Sequence, residues 1–361
     1  MTTTFQINSF KIIAIILIFT CFSCRNNTIE TTHVVTHPST DWMVGKWGIM
    51  IHWIAPGPAP AEGPWISDLN TAVNNFEINK FLAQFDSCGA DYLMFTIGQN
   101  SSMYCSPNHI MDSLAGSGHC SNRDLALELA VGVHNLGKKF IAYLPAEVNA
   151  PTDLHIPFAW NPGGNQEEFE NRYTSFIKDY SEKFGNNLDG WWFDGVYEWS
   201  QFPIASHHWP LWINAARAGN PNAVVSFNNG SFYSGYTTPV TTYQDYLSGE
   251  CWNLENGEIC VGTNEWLYLP TSRFIPGTQC QFHVQVPIDC NKSWSNQTPG
   301  PMPPPSYTDD ELFSAVLNVL KVGGTFTINV GIYQEGYISN QTLEQLKRLN
   351  IFLKSNLPIS N

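Results

Sequence analysis

The chain has 361 residues, 43% apolar and only 13% charged, which describes a globular protein with a sizeable core and room for one large domain or two small ones. Seventeen Lys and Arg against 31 Asp and Glu give a net charge of −14. That balance excludes a nucleic-acid partner, whose phosphates need basic side chains, and a direct hold on an anionic membrane surface.

The chain opens on an export signal. Lys11 precedes the apolar run Ile12–Phe19, which is too short to span a bilayer and matches a signal-peptide core. Thr20-Cys21-Phe22-Ser23-Cys24 follows. A small residue and then Cys after such a run resembles a bacterial lipoprotein signal, with Cys24 as the lipidated residue and Cys21 as second choice. An ordinary signal peptide cleaved nearby is the alternative. The expected organisation is a signal over 1–24, a Thr- and Asn-rich tether over 25–40 and one catalytic domain over 41–357. The protein is then exported, periplasmic or anchored at the outer membrane, and meets the membrane only through its lipid.

Strand-like and helix-like segments alternate beyond residue 40. Lys46–Trp53 reads as a strand, and Phe76–Cys88 as a helix with Ile78, Phe81, Leu82 and Phe85 on one face and Gly89 as its stop. Strand Ala90–Ile97, helix Asn122–Leu136, strand Phe140–Leu144 and the amphipathic helix Gln166–Phe184 follow. Next come the Trp-rich strand ending at Asp194, then Ala223–Phe227, Tyr243–Leu247 and Gln281–Val286. Thr308 and Glu311 form a capping-box pair before helix Leu312–Leu320, strand Thr325–Val330 is eighth, and helix Leu343–Leu353 closes the chain. Eight strands with intervening helices predict a single-domain α/β (β/α)8 TIM-like barrel. The rival, a doubly wound sheet, lacks a Gly-rich phosphate loop after the first strand.

Seven cysteines lie beyond the signal, with no Cys-x-x-Cys pair and no His/Cys cluster at zinc spacing, so no metal site is expected. Proximity in sequence and an oxidising compartment suggest bridges Cys105–Cys120, Cys251–Cys260 and Cys280–Cys290, with Cys88 a buried free thiol.

The strand ends carry the chemistry. They fall at His52-Trp53, Gln99-Asn100, Glu147, Asp194, Asn228-Asn229, Glu250 and Asn329. One such residue alone is ordinarily a cap or turn former. So many on the C-terminal ends of consecutive strands point to one shared cleft. Leu188-Asp189-Gly190-Trp191-Trp192-Phe193-Asp194-Gly195 is the most informative stretch. It places a carboxylate at the end of a hydrophobic strand, beside rings such as Trp191 that suit the CH faces of a sugar. Glycoside hydrolysis needs two carboxyl groups, one to attack or to activate water and one to protonate the leaving oxygen. Asp194 suits the first role. Glu250, Glu255, Glu258 and Glu265 are candidates for the second, with Glu250 nearest a strand end and the others read as solvated loop acids.

Lys46-Trp47-Gly48-Ile49-Met50-Ile51-His52-Trp53 resembles the first-strand signature of the family 29 α-L-fucosidases. Trp192-Phe193-Asp194-Gly195 is similar to that family's nucleophile motif, and Ile328-Asn329-Val330-Gly331 with Glu335-Gly336 and Ile338 to its last-strand motif. The resemblance implies a barrel and an exo-acting, retaining enzyme with a covalent intermediate on Asp194, carboxyl groups about 5–5.5 Å apart, a glycan substrate, and no metal or organic cofactor. It also implies sugar contacts by His52 and Trp53. Two departures stand out. The His-His pair that usually ends the family's second strand is replaced by a stretch in which Gln99, Asn100 and Tyr104 offer hydrogen bonds, and Glu147 and Trp191 complete the candidate contacts. The usual C-terminal β-sandwich is not expected, because the chain ends just past the last barrel helix. A catalytically inactive sugar-binding barrel, and a retaining glycosidase for another deoxy or methylated sugar, stay open as alternatives.

Overall fold

The computed structural model describes residues 37–197, 202, 207–231, 234–261 and 266–357. The export segment, Cys24 and Glu265 lie outside the described residues. Among the described residues, no helix is long and apolar enough to cross a membrane. Residues 37–40, expected in the tether, are bound to the fold. His37 Nδ1 lies 2.7 Å from Asp245 Oδ1, and the Thr40 hydroxyl accepts from Arg273 Nη2 at 3.0 Å.

The strands are Trp47–Ile51 (β1), Tyr92–Thr96 (β2), Lys139–Pro145 (β3), Gly190–Asp194 (β4), Val224–Phe227 (β5), Asn253–Glu255 (β6), Glu258–Val261 (β7), Trp266–Tyr268 (β8), His283–Pro287 (β9) and Thr325–Asn329 (β10). The helices are Leu69–Asn74 (α1), Ile78–Cys88 (α2), His109–Ala115 (α3), Leu125–Asn135 (α4), Glu167–Phe184 (α5), Trp209–Ala216 (α6), Ser234–Thr237 (α7), Asp309–Lys321 (α8) and Asn340–Asn356 (α9). Seven strands form one curled, wholly parallel sheet in the order β5-β4-β3-β2-β1-β10-β9. Their near-continuous apolar runs follow from burial on both faces. Helices cover the outer face, where Ile49, Leu93, Phe140, Trp191 and Val225 join the main core. The opposite residues of each pleat, among them Met50, Met94, Tyr143, Trp192 and Tyr246, meet in a separate inner cluster. Gly48 is required there. A Cβ would lie 2.3 Å from the Tyr92 ring, which crosses the interior to hydrogen bond Thr327 Oγ1 at 2.6 Å.

Helix ends follow the expected chemistry. Gly89 stops α2 at φ +83°, and Thr308 and Glu311 close a capping box on α8. The strand expected over Tyr243–Leu247 is not a regular one. Residues 245–251 instead hydrogen bond on both sides, with Asp245 N–H donating to Val225 O (2.9 Å), Leu247 N–H to Gln281 O (3.0 Å) and Cys251 N–H to Gln285 O (2.8 Å). The Ser248 carbonyl is drawn out of the ladder by Trp192 Nε1 (3.1 Å) and His283 Nδ1 (3.0 Å). Gly249, at φ +69°, lets this stretch approach β9 where any Cβ would meet His283 O at 2.2 Å.

The acidic segment after residue 252, expected to be a loop, is an antiparallel sheet β6-β7-β8. Asn256 (φ 53°) and Gly257 (φ 77°) make its first turn, a dipeptide suited to two positive φ values. The expected disulfides are also absent, since all seven described cysteines are free thiols. Cys105 Sγ faces Thr96 O at 3.6 Å, and Cys251 Sγ donates to Asn253 O at 3.0 Å. Cys280 and Cys290 lie beyond opposite ends of β9. Five strand residues at about 3.3 Å each separate them, more than the roughly 7 Å that a bridge tolerates between Cα atoms.

Candidate active site

Strand parity selects the side chains that reach the cleft. In β4, Trp192 and Asp194 face inward, whereas Trp191 and Phe193 join the outer core. At the same C-terminal end stand His52 after β1, Gln99 after β2, Asn228 after β5, Glu250 of the irregular segment, Gln285 of β9 and Asn329 of β10. A cavity of about 250 Å³ is lined by His52, Gln99, Asn100, Trp192, Asp194, Tyr197, Glu250, Trp252, Gln285 and Trp294.

Four donors converge on Asp194. Tyr143 Oη (2.5 Å) and Gln99 Nε2 (3.3 Å) reach Oδ2, while Tyr197 Oη (2.7 Å) and Asn228 Nδ2 (2.8 Å) reach Oδ1. Burial pushes both phenols well above their ordinary range, so they remain protonated donors. The Asn228 amide also donates to Glu250 Oε2 at 2.6 Å. Those two bonds, made by one nitrogen, keep the bridged oxygens no more than about 5.4 Å apart, closer than the roughly 6.5–9.5 Å of inverting carboxyl pairs. Glu250 is 9% exposed, and its carboxyl is pushed up to about 7 by burial first and by the charge of Asp194 second. Hydrogen bonds from Asn228, Trp252 and Tyr197 oppose the rise. One carboxyl group thus sits among donors that suit an anion, and its neighbour is poised to hold a proton near neutral pH.

His52 Nδ1 lies 2.6 Å from Asn329 Oδ1, and Asn329 in turn donates to Trp294 O at 2.9 Å. That chain orients the amide with its oxygen toward the ring, so Nδ1–H is the donor and Nε2 an acceptor. Burial lowers the His52 pKa to about 4 against the opposing effects of Asn329 and Asp194, which keeps the ring neutral. Gln285 is 1% exposed, and its Oε1 has no hydrogen-bond partner among the described residues. Such an acceptor at a cleft wall is suited to a ligand hydroxyl. Trp192 supplies the floor, stacked on Tyr143 at 5.0 Å, while Trp252 and Trp294 meet edge to face at 5.2 Å on the opposite wall.

Of the sequence candidates, Asp194, Glu250, His52, Gln99 and Asn100 share this cavity, with Asn100 exposed at its rim. Glu147 lies just behind it, against Gly195, where a Cβ would come 3.0 Å from its Cγ. Burial chiefly raises its carboxyl to about 7. Three candidates are corrected. Trp53 is fully buried with Nε1 bonded to Gln334 O at 3.0 Å, because the residue after His52 points to the outer layer. Trp191 is buried for the same reason of parity, its Nε1 on Ala216 O at 2.8 Å. Tyr104 packs edge-on against Phe176 of α5 beneath the loop that follows β2. Glu255 is exposed and Glu258 half-buried at the hairpin turn. His207 lies beside Glu170 and Trp212 in the helical layer, 2.6 Å from the Glu170 carboxylate, and so replaces no second-strand histidine.

Tyr143, Tyr197, Trp192, Trp252, Gln285 and Trp294 are not among the sequence candidates. Counting two residues back from Asp194 selects Trp192 over Trp191, and a glutamine amid the apolar run of β9 is a visible signal. Trp294 comes from a loop with no pattern to mark it. Among the described residues no group of three His, Cys, Asp or Glu side chains could hold a metal ion.

The sequence matches the family model described as Alpha-L-fucosidase over residues 65–357. No curated protein matches it at a significant level. Among solved structures, it is similar to an endo-fucoidan hydrolase of glycoside hydrolase family 107, at 17% identity and TM-score 0.63, over 87% of this chain and 63% of that one. It is also similar to the alpha-L-fucosidase AlfC from Lactobacillus casei in complex with its alpha-L-fucose product, at 18% identity and TM-score 0.58, over 87% and 97% of the two chains. A third is the putative alpha-L-fucosidase from Bacteroides thetaiotaomicron, at 12% identity and TM-score 0.58, over 89% and 77%. The chain covers 53% to 63% of the length of three of the endo-fucoidan hydrolases. With 293 consecutive positions matched by its model, the chain belongs to the alpha-L-fucosidase family of glycoside hydrolases.

Proposed function

We propose that this protein hydrolyses α-linked L-fucosides with retention of configuration, Asp194 acting as nucleophile and Glu250 as acid and then base. The observation that carries this reading is the Asn228 amide shared by the two carboxyl groups, 2.8 Å from Asp194 and 2.6 Å from Glu250. In the first step an Asp194 oxygen bonds to the anomeric carbon while the bond to the leaving oxygen breaks, and Glu250 gives that oxygen its proton. In the second, the Glu250 carboxylate takes a proton from water, whose oxygen displaces the Asp194 ester. On this reading His52, Gln99 and Gln285 bind hydroxyls and Trp192 lies under the ring. Retention of both carboxyl groups in one cleft favours catalysis over an inactive sugar-binding barrel. We read residues 245–251 as the irregular eighth stave of a closed barrel, and the segment before residue 25 as a lipoprotein export signal.

Asp194→Ala and Glu250→Ala test the roles against an aryl α-L-fucoside. Asp194→Ala should abolish turnover. Glu250→Ala should lose the rate but recover it in azide, releasing the α-fucosyl azide, since a small anion replaces water without needing a base. Turnover by Asp194→Ala within a few-fold of the parent would overturn the assignment.

A further inference from the structure

A second cavity of about 480 Å³ adjoins the catalytic one, lined in part by Ile54, Trp65, Ser67, Ser101, Ser295 and Gln297. No residue lines both, but the same loops serve the two. The loops that present His52, Asn100 and Trp294 to the catalytic cleft run on, within two residues, to Ile54, Ser101 and Ser295 in this one. Its position relative to the chemistry is set by the sheet. β1 and β2 lie well inside the strand order, whereas Glu250 stands past the β5 edge, bridged to Gln285 of β9. A sugar whose anomeric carbon sits between Asp194 and Glu250 extends toward His52 and Gln99. Its leaving group departs on the Glu250 side, and the hydroxyls remote from the anomeric carbon face the second cavity.

The lining suits a sugar. Trp65 is 47% exposed, yet its ring is pinned at the edge by Nε1 donating to Gly57 O at 3.1 Å. The loop that carries it is held by Gln334, whose Nε2 donates to Pro56 O (2.9 Å) and whose Oε1 accepts from Ile66 N–H (3.0 Å). Asn296 ties it again, donating to Ala59 O at 3.0 Å. An exposed aromatic on a braced loop is a low-entropy platform for an apolar ring face. Ser67, Ser101, Ser295 and Gln297 add neutral donors and acceptors. No Lys or Arg is among the described residues lining either cavity.

We infer that this cavity is a subsite for the sugar unit preceding the one attacked, in an uncharged glycan, so that the enzyme cuts inside a chain as well as at its end. The inference rests on the fucoside reading above and departs from the exo action that the family resemblance implies.

The test uses two probes, an aryl α-L-fucoside and an unsulfated α-linked fuco-tetraose labelled at its reducing end. The full chain should release unlabelled fragments of two or more units from the tetraose. Trp65→Ala should lower the ratio of kcat/KM on tetraose to kcat/KM on aryl fucoside at least tenfold, and a sulfated tetraose should react at least tenfold more slowly than the plain one. Release of single fucose units only, or an unchanged ratio in Trp65→Ala, overturns the subsite. Equal or faster turnover of the sulfated probe overturns its uncharged character. Turnover of neither probe by the parent protein overturns the fucoside reading itself.

Discussion

Replacing Asn228 should separate the two carboxyl groups in their titration. Its amide is fully buried and donates to Glu250 Oε2 at 2.6 Å, which favours the charged form of that carboxyl and restrains its upward shift. A hydrogen bond to a charged group contributes about 1.5–3 kcal/mol. At about 1.36 kcal/mol per pKa unit, its loss raises the Glu250 carboxyl by roughly 1–2 units above the present value of about 7. Glu250 must be protonated to act as acid, so activity falls as pH rises through its pKa. In Asn228→Ala the alkaline limb of kcat/KM therefore moves from near 7 to roughly 8–9, while the maximum rate drops because Asp194 loses one of its four donors. Asn228→Asp keeps the acceptor for Gly230 N–H (3.0 Å) and should move the limb the same way. The assay is kcat/KM against pH on a fucoside with a poor leaving group, with folding followed by circular dichroism. An alkaline limb that stays near 7, or moves to lower pH, would show that the Asn228 amide does not hold down the Glu250 pKa.

Gln285→Ala should raise KM or lower kcat by the roughly 1–3 kcal/mol of a lost buried hydrogen bond, because Gln285 lines the cleft and its buried Oε1 has no partner among the described residues. Asn100→Ala should cost less than Gln99→Ala, since Asn100 is exposed and Gln99 bonds Asp194; steady-state kinetics on one substrate ranks all three. Alkylation in denaturant without reductant should modify every cysteine from Cys88 to Cys290, and a pair protected until reduction would contradict the free-thiol structure.

Much of this site is legible in the amino-acid sequence. His52 and Asp194 each follow an apolar run, and a charged or polar group there needs a cleft to justify its burial; Glu250, after Tyr246-Leu247-Ser248-Gly249, is marked only by its place near an expected strand end. Parity separates two residues of identical type: with Asp194 facing the cleft, the pleat set by pairing with β3 and β5 turns Trp192 inward and Trp191 outward. Trp53 is misplaced for the same reason. Tyr143 and Tyr197 reach Asp194 from a neighbouring strand and from the following loop, and no sequence spacing encodes that convergence. The Asn256-Gly257 pair is a visible hairpin signal, but the acids around it fit a catalytic loop equally well.

On the proposed mechanism Asp194 carries the sugar as a covalent ester. A 2-fluoro fucosyl donor with a good leaving group slows the second step more than the first and lets the ester accumulate. Peptide mass spectrometry after such treatment should find one fluorinated sugar on the peptide containing Asp194 and none after Asp194→Asn. An adduct on Glu250 or Glu147, or no adduct together with an inverted product anomer, would rule out Asp194 as the nucleophile.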